Sequence, residues 1–154
     1  MEGLTFKIII DAPREKVWDI LWNDKTYREW TSVFSSGSKA ESDWKEGSKI
    51  LFLDGKGDGM VSTIASKRPN EFMSFKHLGE VHNGVEDTTS EKVKQWAGSQ
   101  ENYTLKTVNG KTELTVDVDI TDEFKDYFQE TFPKAMQKIK SICERSNQDA
   151  VMSN

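Results

Sequence analysis

The stretch IIIDAPREKVWDILWNDKTYREW, Ile8 to Trp30, decides how the whole chain is read. It begins inside a run in which Leu4, Phe6, Ile8 and Ile10 fall on one side and Thr5 and Lys7 on the other. That period of two predicts a half-buried strand. Asp11-Ala12-Pro13 stops the run. Pro13 suits the first turn of a helix, where its missing N–H leaves no bond unmade. Val17, Ile20 and Leu21, flanked by Trp18 and Trp22, then recur at helical spacing as far as Asn23-Asp24. A second short helix, about Lys25 to Trp30, places Tyr27 and Trp30 on one side.

Outward from this opening, the texture from Val33 to Leu78 turns to short strands and turn residues. Strands are expected over Phe34 to Ala40, Lys49 to Asp54, Met60 to Lys67 and Phe72 to Val81, with a turn at Asp43 to Gly47. Gly55-Lys56-Gly57-Asp58-Gly59 has the glycines of a phosphate cradle, but such loops need a helix behind them and a strand follows, so it reads as a hairpin turn. Asn109-Gly110 joins strands over Asn102 to Val108 and Lys111 to Asp119, the strongest short hairpin signal. Leu114, Val116 and Val118 alternate with Glu113, Thr115, Asp117 and Asp119, so one face packs inward.

Thr121 then caps a long helix, with Asp122 and Glu123 in its first turn. Phe124, Phe128, Phe132, Ala135, Ile139 and Ile142 form its apolar stripe, with Met136 and Cys143 beside them and Pro133 expected to bend it. The order is strand, two short helices, six strands and one long helix. The strands need a cover, and that helix is the element long enough to supply it. The expected architecture is α+β, a curved antiparallel β-sheet wrapped around a long C-terminal α-helix. It forms a single domain over 1–146, with a frayed tail at 147–154.

Composition narrows the function. A chain of 154 residues makes one domain and buries about two-thirds of its unfolded surface. Apolar residues are 35% of the chain and the mean hydropathy is -0.69, yet five Trp and eight Phe can build one core. A net charge of -5 argues against nucleic acid, which needs a concentrated basic patch. Lys134, Lys138 and Lys140, matched by Glu130 and Glu144, read as a solvated helix face. The single cysteine, Cys143, excludes an internal disulfide and a Cys-based metal cluster, and reads as a buried thiol. There is no run of about 18 apolar residues to span a membrane. The N-terminus has no basic-then-apolar leader, so a cytoplasmic location is expected and the Asn102-Tyr103-Thr104 sequon reads as chance.

The quoted opening resembles that of the SRPBCC (START/Bet v 1-like) superfamily, in which a strand leads through Ala-Pro-x-x-x-Val-Trp into a helix. WKEGSKILF, GMVSTIASKRPNEFMSFKHLG and YTLKTVNGKTELTV look like its following strands, in order. The branch is similar to the C-terminal domain of the heat-shock-protein-90 ATPase activator homologue, and the resemblance covers about Leu4 to Arg145. It implies a helix-grip fold with a cavity between sheet and long helix, which in this superfamily often holds lipids, sterols, polyketides or other apolar molecules. No universal catalytic residues come with it.

No catalytic constellation, metal set or cofactor motif is legible. His77 and His82 are five apart, without a Cys or clustered carboxylates to complete a metal site. No Ser-His-acid order is visible, although a triad assembled in space leaves no local motif. His77 shares strand parity with Met73 and Phe75, so it faces the cavity if they do, either orienting a ligand or satisfied within the core. Trp30, Phe34, Phe52, Met60, Phe75, Tyr103, Phe128, Phe132 and Met136 are the other candidates to line the cavity, each equally at home in an ordinary core.

GVEDTTSEKVKQWAG, Gly84 to Gly98, interrupts the strands. Thr89 or Ser90 caps about two helical turns there, ended by Gly98, with Val93 and Trp96 on one face. The segment is either a lid with Trp96 as its plug or a structural insert anchored by that ring. The expected function is binding of a small apolar or amphipathic ligand. The alternatives are a protein-interaction module, as a homodimer or with a protein partner, and a cyclase- or hydrolase-like enzyme using His77. The chain lacks the separate N-terminal domain of the full chaperone activator, which counts against chaperone stimulation.

Overall fold

The computed structural model describes residues 1–152, and the side chains only as far as Arg145. The alternating run at the N-terminus is β1 (Glu2–Ile10), paired antiparallel along its whole length with β8 (Lys111–Ile120). Pro13 stands just ahead of α1 (Arg14–Trp22), as its N-cap, one position earlier than the first turn expected for it. Asn23 ends α1 and caps α2 (Asp24–Thr31), its side chain accepting from the Lys25 N–H. This bond meets one of the N–H groups that a helix start leaves without a partner.

The remaining strands are β2 (Lys39–Glu41), β3 (Lys49–Leu53), β4 (Gly59–Arg68), β5 (Phe72–His82), β6 (Val85–Asp87) and β7 (Gln100–Val108). With α3 (Glu91–Lys94) and α4 (Asp122–Met152) they complete the chain. One antiparallel sheet of eight strands runs in the order β1-β8-β7-β5-β4-β3-β2, with β6 beside β5. The helix-grip architecture expected from the order of elements is therefore present. The backbone of the expected tail, 147–154, is helical to Met152; residues 153–154 lie outside the described residues.

Three expectations are corrected. The strand expected over Phe34 to Ala40 is confined to Lys39–Glu41. The preceding loop turns at Gly37 (φ +74°) and presses on the β3–β4 hairpin, where a Cβ at Gly37 would lie 2.6 Å from the Gly55 Cα. Phe124, expected on the buried stripe of α4, is 49% exposed in the first turn of the helix. Seven strands follow the short helices rather than six, the extra one being β6. Its hairpin turns on Asn83 (φ 51°) and Gly84 (φ 79°), the same left-handed pair as Asn109 (φ 52°) and Gly110 (φ 79°). Both fit the turn whose twist matches that of the strands it joins.

The core lies between the sheet and α4. Ala135, Ile139, Ile142 and Cys143 are buried with Ile10, Leu105, Leu114 and Val116. Burial pushes the Cys143 thiol up to about 12, and because the thiolate is the reactive form, the folded protein should be inert to thiol reagents. A disulfide-exchange reagent is expected to modify Cys143 only as denaturant unfolds the chain. Full modification of folded protein at neutral pH would contradict this packing.

Candidate functional site

Side chains do not fill one end of the space between sheet and helices, and a pocket of about 320 Å³ remains. From α2 and the loop after it come Tyr27, Trp30, Thr31 and Phe34, while the end of α1 contributes Trp22. The β3–β4 hairpin supplies Phe52, Asp54, Asp58 and Met60. Across from them stand Phe75 and His77 of β5 and Glu101 and Tyr103 of β7. Tyr127, Phe128 and Phe132 close the side formed by α4.

Alternation in β5 and β7 explains why these side chains face the helices: Met73, Phe75 and His77 share one parity, Glu101, Tyr103 and Leu105 the other strand's. The rings interlock edge to face, Trp22 with Tyr103 at 4.9 Å between centroids and with Phe75 at 5.3 Å, and Phe52 with Phe75 at 5.0 Å. The Trp30 indole donates to the Leu21 carbonyl at 3.1 Å. The buried Trp22 indole N–H has no partner among the described residues.

A chain of hydrogen bonds crosses this aromatic wall. Ser62 Oγ lies 2.7 Å from His77 Nδ1, and His77 Nε2 lies 3.3 Å from Glu101 Oε1. Tyr103 donates its hydroxyl to Glu101 Oε2. As a carboxylate Glu101 can only accept, so the neutral imidazole carries its proton on Nε2 and accepts a hydrogen bond from the Ser62 hydroxyl at Nδ1. Burial, and next the Glu101 charge, hold both the Tyr103 and the Tyr27 phenol above the ordinary tyrosine range.

Ser62, His77 and Glu101 are the residue types of a hydrolytic triad, but Ser62 is fully buried and absent from the pocket wall. Its hydroxyl sits behind the imidazole and cannot meet a molecule in the pocket. Of these three, the groups that a ligand can touch are His77, 6% exposed, and Glu101, whose side chain is 25% exposed. No cluster of three His, Cys, Asp or Glu able to hold a metal occurs among the described residues. His82 is apart from the site, paired with Asp58 at 3.4 Å on the surface.

Nine of the expected cavity residues thus meet around one space: Trp30, Phe34, Phe52, Met60, Phe75, His77, Tyr103, Phe128 and Phe132. Met136 does not. It is 3% exposed and packs in the filled part of the core one turn along α4. Trp96 also stands apart, half-buried and absent from the pocket wall. The insert carrying it extends the sheet: β6 pairs with the far end of β5, and His77 exchanges backbone hydrogen bonds with Gly98 and Ser99. That tether fits the structural insert, of the two readings, rather than the lid.

Reading the sequence missed Trp22, Tyr27, Tyr127, Ser62 and Glu101. Glu101 was within reach, since it lies two residues from Tyr103 on one strand and so shares its face. Ser62 was not, because its partnership with His77 depends on a bulge between Val61 and Ser62 that shifts the β4–β5 register.

Sheet, gripping helix and the pocket between them define a helix-grip protein of the Bet v 1-like superfamily. The family described as Activator of Hsp90 ATPase homolog 1-like protein matches residues 11–144, and the chain belongs to it. Among solved structures it is similar to the Aha1 dimer from Colwellia psychrerythraea, with a TM-score of 0.72, 18% identity, and coverage of 94% of this chain and 97% of that one. Protein MLL2253 from Mesorhizobium loti is similar at a TM-score of 0.73 and 15% identity, with 94% and 98% of the two chains covered. DynU16, from the dynemicin biosynthetic locus, is similar at a TM-score of 0.70 and 15% identity over 94% of this chain and 48% of that one. At these identities the likeness is one of fold. No curated protein sequence matches the chain.

The two buried tyrosines provide a test of the site. Their folded pKa values exceed the unfolded value of about 10, so their contribution to stability is intact below that pH and is lost as pH rises through the folded values. In an alkaline titration, tyrosinate absorbance from Tyr27 and Tyr103 is expected to appear together with loss of the folded circular dichroism signal. Comparison with Tyr27→Phe and Tyr103→Phe isolates their share. Ionisation of both near pH ~10 in still-folded protein would contradict the burial described.

Proposed function

We propose that the protein binds a small apolar or amphipathic molecule in this pocket. The ligand's body lies against the aromatic walls and one polar group meets His77 and Glu101. The observation that supports this most is the hydrogen-bonded pair of His77 and Glu101 set in a wall rich in aromatic rings, in a space of about 320 Å³. Ligand sites combine an apolar lining with a few convergent polar groups, and this volume lies at the small end of their range. It suits a compact, bicyclic-sized body rather than a long acyl chain.

A second reading, self-association, draws on Phe124 and Tyr127, 49% and 43% exposed at the start of α4, and on the dimer solved for the Colwellia relative. The two readings are separable, since Phe124 is not on the pocket wall.

Screening small aromatic amphiphiles by thermal shift tests the ligand reading. A ligand at a hundredfold excess over its Kd should add about 2.7 kcal/mol to stability. Met60→Trp, which fills the pocket from the β3–β4 hairpin, should fold and lose that response. Equal stabilisation of wild type and Met60→Trp would place the binding elsewhere and sink the proposal.

A further inference from the structure

The pocket's charge is one-sided. Asp54 and Asp58 stand on the β3–β4 hairpin and Glu101 between β5 and β8, while no Lys or Arg lines the space. Asp54 is held by backbone N–H groups of Lys56 and Asp58, which keep its carboxyl below the usual range. Asp58 accepts from the Asn83 N–H at 3.0 Å and faces the exposed His82. Glu101 has the Tyr103 hydroxyl and His77 Nε2 as its partners. Both are neutral donors when the imidazole is neutral, so they orient the carboxylate without cancelling its charge.

A ligand with a carboxylate, sulfate or phosphate would bring a second negative charge beside Glu101 with no Lys or Arg to meet it, and with His77 already engaged to Glu101. Such a like-charge contact is strongly unfavourable away from bulk water. A cation has the opposite experience. It meets the Glu101 carboxylate, and the partly exposed rings on the same wall, Phe34, Phe52 and Phe128, attract it through their quadrupoles.

Resting on the ligand reading above, we infer that the pocket selects organic cations, a protonated or quaternary amine carried on a compact aromatic or alicyclic body. Glu101 is the ion-pairing group and the surrounding rings form the cage. Fatty acids and phospholipids are excluded by the same charge.

Three probes of one shape decide the matter: naphthylmethylamine, naphthalenemethanol and naphthoate, titrated against the full chain at neutral pH by calorimetry. The amine is expected to bind at least about tenfold more tightly than the alcohol, and naphthoate most weakly. In Glu101→Gln, checked for folding by circular dichroism, the amine's advantage over the alcohol, both measured on that variant, should disappear. The wild-type comparison stands without the variant. Equal binding of amine and alcohol, or a preference for naphthoate, overturns the cation inference and leaves the pocket reading intact. An undiminished amine preference in folded Glu101→Gln overturns it as well. Binding by none of the three removes both.

Discussion

The apolar stripe of α4 must be buried, and the face of the sheet is what buries it. Along the C-terminal half of the described helix, Ala135, Ile139, Ile142 and Cys143 meet the aliphatic side chains of β1 and β8, which interdigitate and leave no room. Along the N-terminal half the partners change. Phe128 and Phe132 meet Phe34 at 6.0 and 5.0 Å between centroids, and Phe132 stacks on Phe6 at 5.0 Å. Flat, rigid rings packed at these differing angles hold one another apart, whereas branched aliphatics fill the gaps between them. The pocket is thus a consequence of where along the helix the core turns aromatic.

The polar network adds a second constraint on the same walls. A buried imidazole and a partly buried carboxylate are costly unless hydrogen-bonded, and here each supports the other. Ser62 fixes one nitrogen of His77, Glu101 engages the other, and Tyr103 engages the far oxygen of Glu101. β4, β5 and β7 are thereby joined through side chains as well as through backbone pairing. One face of the site is consequently built on regular strands, a more rigid base than a loop supplies. Its mouth is framed by loops that are themselves tied, with Tyr127 donating to the Phe34 carbonyl at 2.8 Å and Gly55 to that of Ser36 at 3.0 Å.

Much of this was legible because it depends on local chemistry. Alternation placed Phe75, His77 and Tyr103 on one face, and Asn109-Gly110 marked its hairpin. The identical dipeptide Asn83-Gly84 carried the same information. It was overlooked because the strand after it is three residues long, too short for alternation to register. That omission left open whether the insert was a lid or a structural element. The Ser62–His77 contact depends on a bulge, and a one-residue change of register moves every later side chain to the other face. Likewise, Phe124 fits the helical stripe by spacing, and spacing does not tell which turns of the helix are covered.

Shared fold leaves the ligand open, since one scaffold serves many sites. What would distinguish this chain is the occupant proposed for its own pocket. Native mass spectrometry on protein purified from its host without detergent addresses that most directly. The account predicts a reproducible added mass on the order of a few hundred daltons, the size such a pocket admits, on the wild type and not on Met60→Trp. The bare chain mass for both proteins, or the same adduct on both, would contradict it.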